Sequence, residues 1–278
     1  MRGTLKKMIT ELGQPVQYQL PLGDQLLPLN DLVGENLQLR YTGNINCIHC
    51  SRVSKKSFGQ GYCYPCFKKL AQCDMCIMKP EQCHYSKGTC REPEWGEEFC
   101  MRNHYVYLAN SSGIKVGITR ETQIPFRWID QGAIQAIPFI KVSTRLLSGL
   151  VEVLIAKKIP DKTNWRTMLK GQNERLDMEL FRDQLLEECA EDISLLQEQN
   201  GAENIEILNT EKPIDIEYPV LEYPDKIRSL NFDKEPEINT VLQGIKGQYL
   251  IFDTGVINIR KFTGYEIQLG NIQTIKFS

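Results

Sequence analysis

The chain has 278 residues; 41% are hydrophobic and 24% charged, so wholesale disorder and a fibrous repeat are excluded and two or three compact units are expected. The net charge of -2 hides an asymmetry: residues 52–170 carry 19 Lys+Arg against 10 Asp+Glu, whereas residues 171–239 carry 6 against 19. No apolar run is long enough for a transmembrane helix, so no membrane association is expected, and Arg2, Lys6 and Lys7 precede no apolar core of a signal peptide, which makes a cytoplasmic location the expectation.

In chain order, residues 13–46 read as short strands, Val16–Leu20, Gln25–Leu29 and Leu37–Tyr41, punctuated by Pro21, Gly23, Asn30 and Gly34. Residues 47–100 lack hydrophobic periodicity, and metal is expected to replace an apolar core there. The stretches 104–109 and 114–118 read as strands joined in a hairpin by Asn110-Ser111-Ser112-Gly113. A short helix is expected at 124–132 with Pro125 in its first turn, then a strand Ile134–Val142 broken at Pro138. Ser143 or Thr144 can cap a following helix that runs to about Lys158. A long amphipathic helix is expected over 172–200, through Leu176, Leu180, Leu185, Leu186, Ile193 and Leu196. Pro213, Pro219, Pro224 and Pro236 mark a connector, and strands Gln248–Asp253, Val256–Lys261 and Tyr265–Leu269 turn at Gly255 and Gly264. The β-rich ends of the chain are compatible with one small barrel or two.

Nine of the ten cysteines lie between Cys47 and Cys100, which in a reducing compartment points to metal ligation rather than disulfides. Cys47-x2-Cys50 and Cys63-x2-Cys66, twelve residues apart, have the spacing of a closed four-thiolate zinc site of the zinc-ribbon type. Cys73-x2-Cys76, Cys83 and Cys90 are the expected ligands of a second site, with His84 and Cys100 as competitors for its last positions. Zinc is expected at both, and an iron–sulfur cluster is the alternative at the second, because clusters too are held by four thiolates. Each zinc tetrathiolate carries a net -2, which trims the positive balance of residues 52–170 to roughly +5. That balance suits nucleic-acid binding, while segregated solvated faces give the same count. Cys189, alone in the acidic region, reads as an inert buried thiol.

Tyr105-Val106-Tyr107, Lys115-Val116-Gly117-Ile118-Thr119, Arg127 and Glu152 follow one another in an order that resembles the GIY-YIG nuclease domain, over about residues 103–160. The resemblance implies a small α/β domain with a metal-dependent phosphodiester-cleaving site. Tyr107 matches the tyrosine of the first motif, Arg127 the arginine on the helix after the hairpin, and Glu152 the metal-holding glutamate. Lys115 stands where the second motif has tyrosine, a departure that bears on activity because that tyrosine assists proton transfer in the superfamily. The residue chemistry is compatible: Tyr107 can align a water, Arg127 can grip phosphate oxygens, and Glu152 can hold Mg²⁺. On one face of the helix, Arg145, Ser148, Gly149, Glu152 and Ala156 would leave room for a metal and a phosphate. Plain structural readings stand beside this one: Tyr107 as a core aromatic, Arg127 paired with Asp130, and Glu152 satisfied by Arg145 or a backbone donor. With its cysteine-rich front and Arg127-Trp-Ile-Asp-Gln-Gly-Ala, the whole chain also resembles an uncharacterised bacterial family of unknown function.

The expected architecture is α+β: a β-rich N-terminal segment (1–46), a cysteine-rich zinc-binding module (47–102), a GIY-YIG-like α/β domain (103–170), an acidic helical segment with a Pro-containing connector (171–238) and a β-rich C-terminal tail (239–278). The function this implies is nucleic-acid (DNA or RNA) binding with metal-dependent cleavage. The rivals are a zinc-stabilised module that binds without cutting and an adaptor that meets a protein partner through the acidic helix.

Overall fold

The computed structural model describes residues 1–270; the last eight residues of the expected C-terminal segment lie outside the described residues. The fold is mixed α and β, and the chain forms two compact units. One comprises Met1–Lys68, Leu169–Gly171 and the chain from Ile216 onward; the other comprises Lys69–Met168 and Gln172–Asp215. The cysteine-rich stretch is thus shared between the units, with the first four thiols in one and the next five in the other.

In the first unit both ends of the chain build one antiparallel sheet. Its order is Arg2–Thr4, Tyr265–Gly270, Asn36–Asn46, Glu237–Lys246, Tyr249–Phe252, Gly255–Asn258, and Val53–Ser54 extends the end of Asn36–Asn46. Asn36–Asn46 is long enough to pair with Glu237–Lys246 on one side and Tyr265–Gly270 on the other. It buries Leu37, Leu39 and Ile45 while Asn36 and Arg40 face solvent, the period-2 pattern of a half-buried strand. Ile9–Glu11, Gln17–Leu22 and Gln25–Pro28 form a second, three-stranded sheet. An aromatic cluster of Tyr41, Phe232, Phe262 and Tyr265 fills the space under the longer sheet.

In the second unit the sheet order is Ile205–Ile207, Gln135–Val142, His104–Asn110, Ile114–Arg120, again antiparallel, with Ile214–Asp215 beside the start of Gln135–Val142. The expected hairpin is present, in full register from His104 opposite Arg120 to Asn110 opposite Ile114. Pro138 does not break its strand. The register shifts between Val106 and Tyr107, and Tyr107 pairs with Pro138 there, so the residue that lacks an N–H sits beside a bulge. Thr144 caps the helix Arg145–Ile155 by accepting the N–H of Leu147, and Leu147, Val151, Leu154 and Ile155 pack into the core with Val106, Leu108, Phe139 and Ile140.

The amphipathic stretch after residue 172 is two helices rather than one, Met178–Glu188 and Ala190–Asn200. They part at Cys189, buried with φ -107° and ψ 6°. The break lets Met178 and Leu185 from the first helix and Ile193 from the second reach the same core. Cys189 packs into that core, and burial pushes its thiol up, as an inert thiol requires.

Candidate functional site

The first four cysteines meet. The strand Asn36–Asn46 delivers Cys47, whose carbonyl accepts the Ser51 N–H at 2.8 Å and closes the turn that carries Cys50. Ser51 has φ 59°, the left-handed region such a knuckle demands. Phe58 and Tyr62 exchange two backbone hydrogen bonds of 2.9 Å, and the chain then delivers Cys63 to the start of the helix Tyr64–Lys69, which holds Cys66. The second pair therefore sits at a helix start rather than in a second strand turn. The sulfurs of Cys47, Cys50, Cys63 and Cys66 all lie within 4.8 Å of one another, so this set can hold a metal ion such as zinc.

The sulfurs perturb each other. Burial opposes ionisation of Cys47, but the N–H groups of Cys50, Cys63 and His49 outweigh it and bring the thiol down to about 6. Burial, then the neighbouring sulfurs of Cys63, Cys50 and Cys47, push Cys66 up. Four sulfurs this close cannot all ionise without a cation between them, and a divalent ion removes that conflict.

Of the second cysteine group, Cys76, Cys83, Cys90 and Cys100 line one small pocket together with Asp74 and His84. Cys73, an expected ligand, is half-buried and is not among the residues lining it. Hydrogen bonding with Cys100, against the effect of burial, brings Cys83 down to about 6, and burial with the Asp74 charge pushes Cys76 up to about 11.

The hairpin and the two helices after it bring together the four residues on which the nuclease resemblance rests. Tyr107 is buried, and its hydroxyl donates to Gln131 Oε1 at 3.0 Å. Burial raises the phenol, and from the helix Phe126–Asp130 the Arg127 charge draws it down. Lys115, on the facing strand, is 5% exposed; burial, aided by the Arg127 charge, brings its amine down to about 8, against the pull of Glu152 and Asp161. Burial and the Asp161 charge push Glu152 up to about 7, while Arg127, Lys115 and Arg145 draw it down. One carboxyl group near neutrality, one amine near neutrality, a guanidinium and a phenol hydroxyl thus share one neighbourhood.

Two participants carried no mark in the sequence. Gln131 stands one helical turn after Arg127, a spacing that could have flagged it. Asp161 follows the helix without any motif. One expectation needs correction. The space beside Gly149 is not open for a metal and phosphate, because a Cβ there would lie 2.2 Å from the Glu81 nitrogen and 2.5 Å from the Pro80 carbonyl carbon. Gly149 is a packing glycine that admits the backbone of residues 80–81. Arg145 on the same helix is likewise engaged, donating to the carbonyls of Ile77 at 2.8 Å and Cys76 at 3.5 Å.

No curated protein and no solved structure matches the chain. The model of a family described as protein of unknown function, DUF2797, matches residues 34–267, and the chain belongs to that family.

Proposed function

We propose that this chain is a zinc-stabilised nucleic-acid-binding protein that hydrolyses phosphodiester bonds at Tyr107, Lys115, Arg127 and Glu152. The observation that carries the reading is the mutual influence of those four side chains around Glu152. The resemblance of the hairpin to GIY-YIG nucleases supports it. Zinc at Cys47, Cys50, Cys63 and Cys66 is structural, because no ligand position is left for substrate.

The residues divide the work by charge and reach. Glu152 would hold a hydrated divalent cation such as Mg²⁺, which neutralises charge on the phosphate. Arg127 grips the non-bridging phosphate oxygens, and its fork stabilises the charge that develops on them. Tyr107, with its hydroxyl oriented by Gln131, aligns the attacking water; burial raises the phenol, so it is a poor base. Lys115, near 8, has a neutral fraction able to take the proton that water loses as its oxygen bonds to phosphorus. The bond from phosphorus to the leaving oxygen breaks, and solvent protonates that oxygen.

The test is cleavage of mixed single- and double-stranded DNA and RNA with and without Mg²⁺. Glu152→Gln should keep the fold and lower cleavage by about 100-fold or more, since an amide is a poor Mg²⁺ ligand. Arg127→Lys should also fail, because a point charge does not replace a bidentate fork. Wild-type rates in Glu152→Gln would sink the nuclease reading. The presence of Lys115 where the superfamily has tyrosine favours a second reading, a site that binds phosphate without cutting. Tight, salt-sensitive binding with no cleavage under any metal would establish it.

A further inference from the structure

The segment from Ala71 to Cys100 has almost no apolar interior. Its fully buried residues are Ala71, Cys76, Pro80, Cys83, Gly96 and Cys100, whereas the large apolar side chains Met75 and Met78 are 61% and 79% exposed. Its backbone is four single-turn 3-10 helices, Ala71–Cys73, Met75–Ile77, Pro80–Gln82 and Tyr85–Lys87, followed by the helix Pro93–Cys100. Short 3-10 turns have poor hydrogen-bond geometry, and burial of alanine, proline and glycine supplies little driving force. Hydrophobic packing within the segment contributes little to holding it in one conformation; from outside, residues 80–81 pack on Gly149 and Arg145 bonds the Cys76 and Ile77 carbonyls.

Four of its thiols share a pocket. Cys76, Cys83, Cys90 and Cys100 come from four separate turns, none is in a disulfide, and all line one small pocket, with their sulfurs more widely spaced than those of Cys47, Cys50, Cys63 and Cys66. The Cys90 sulfur lies 3.1 Å from where a Cβ on Gly96 would stand, so it rests on the helix Pro93–Cys100 at a position only glycine leaves open. Cys100 lies one turn further along the same face. The Arg145 guanidinium, held against the Cys76 and Ile77 carbonyls, supplies positive charge beside the thiols.

We infer that Cys76, Cys83, Cys90 and Cys100 bind a second metal ion of the zinc class, and that this ion serves as the core of residues 71–100. Soft thiolates select such an ion, and the small pocket suits a single ion rather than a multi-iron cluster. Cys100 takes the place that spacing alone assigns to Cys73. A rival set exists: ligand atoms of Asp74, Cys76 and His84 lie within 4.8 Å of one another. Asp74 is already committed, whereas His84 keeps Nε2 available, 3.6 Å from Asp74 Oδ2. Asp74 holds Arg91 Nε at 2.6 Å and accepts the Met75 N–H, and His84 Nδ1 bonds Thr89 Oγ1 at 2.8 Å. They form one wall of the pocket, and a metal on them would leave three of its four thiols unused. The inference extends the zinc part of the reading above and does not depend on cleavage.

The experiment measures metal content of the full-length protein, purified without chelator, by mass spectrometry. The wild type, Cys73→Ser and His84→Asn should each hold about two zinc ions per chain, and Cys100→Ser about one, with the Cys47 site as internal control. Because Cys100→Ser could misfold, alkylation of the native wild type supplies a second readout. Cys90 and Cys73 are both half-buried, yet Cys90 should resist alkylation until a chelator removes the metal, whereas Cys73 should react before and after. Loss of one ion in Cys73→Ser or His84→Asn but not in Cys100→Ser overturns the ligand set, as does protection of Cys73 with reaction of Cys90. A visible iron–sulfur band in the wild type overturns the single-ion assignment. One zinc per chain in the wild type overturns the site, while loss of cleavage alone bears only on the nuclease reading.

Discussion

The hydroxyl of Tyr107 occupies the space a side chain on Gly117 would need. The two residues face each other across the hairpin, and a Cβ on Gly117 would lie 2.6 Å from that oxygen and 2.7 Å from the ring carbon that bears it. Gly117 has no positive φ, so its glycine is a matter of room rather than of backbone conformation. The absence of one carbon lets the tyrosine lie flat over the facing strand with its hydroxyl at Gln131.

Gly117→Ala is therefore expected to displace the Tyr107 ring without removing any proposed catalytic group. Overpacking of this kind costs about 1–3 kcal/mol of stability. Cleavage should fall further than Tyr107→Phe makes it fall, because the ring moves as well as the hydroxyl. Thermal melts and rates on the two variants check this; a Gly117→Ala protein as active as the wild type would place Tyr107 outside the site.

Lys115 should give the reaction a rising pH limb. Its folded value is near 8, below the ordinary lysine range, so the amine is protonated below that pH and neutral above it. If it accepts the proton from water, kcat/KM rises tenfold per pH unit between about 7 and 8 and levels above 8, and below about 7 protonation of Glu152 steepens the fall. Lys115→Arg stays charged throughout and should lose the part of the limb between about 7 and 8 together with most of the rate. An unchanged limb in Lys115→Arg would reduce Lys115 to a phosphate contact.

Nucleic-acid binding should use the open groove lined by Arg52, Lys55, Lys56, Phe58 and Tyr64, which has a volume of about 480 Å³. Tyr64 is 55% exposed and lies edge-on to Phe58 at 5.5 Å, so a base can stack beside cations that hold the backbone. Replacing Lys55 and Lys56 with alanine should weaken binding of a single-stranded oligonucleotide with little regard to sequence. It should also cut the slope of log K against log salt by about 1.4. Anisotropy titrations at several salt concentrations read both quantities, and an unchanged slope places the interface elsewhere.

Lys246 should cost stability where it stands. It is 1% exposed, its ammonium rests 5.4 and 5.3 Å from the rings of Tyr218 and Tyr223, and burial brings it down to about 8. Between about pH 8 and 10.5 the unfolded chain keeps a proton that the folded chain has lost, so stability rises with pH across that window. Below about 8 both states are protonated and the penalty is constant. Lys246→Met should raise stability near neutral pH by about 1–3 kcal/mol and flatten the rise in that window. Denaturant midpoints at several pH values measure it; a less stable variant would mean that the aromatic contacts outweigh desolvation.

Local chemistry in the sequence determined the hairpin 104–120, the Thr144 cap and the four-thiolate set of Cys47, Cys50, Cys63 and Cys66, because each is specified by residues near one another in the chain. The electrostatic linkage of Tyr107, Arg127 and Glu152 was legible only through resemblance to a known motif order. Long-range pairing escaped the sequence. Asn36–Asn46 carries no mark that it will take Glu237–Lys246 on one edge and Tyr265–Gly270 on the other, since a half-buried strand advertises its face but not its neighbour. Tertiary structure alone also placed Cys100 with Cys76, Cys83 and Cys90 in the lining of one pocket, seated residues 80–81 beside Gly149, and brought the Asp161 charge to bear on Glu152. In each case what mattered was which distant backbone lies within a few ångströms. Spacing along the chain fixes that only where the chain turns back at once.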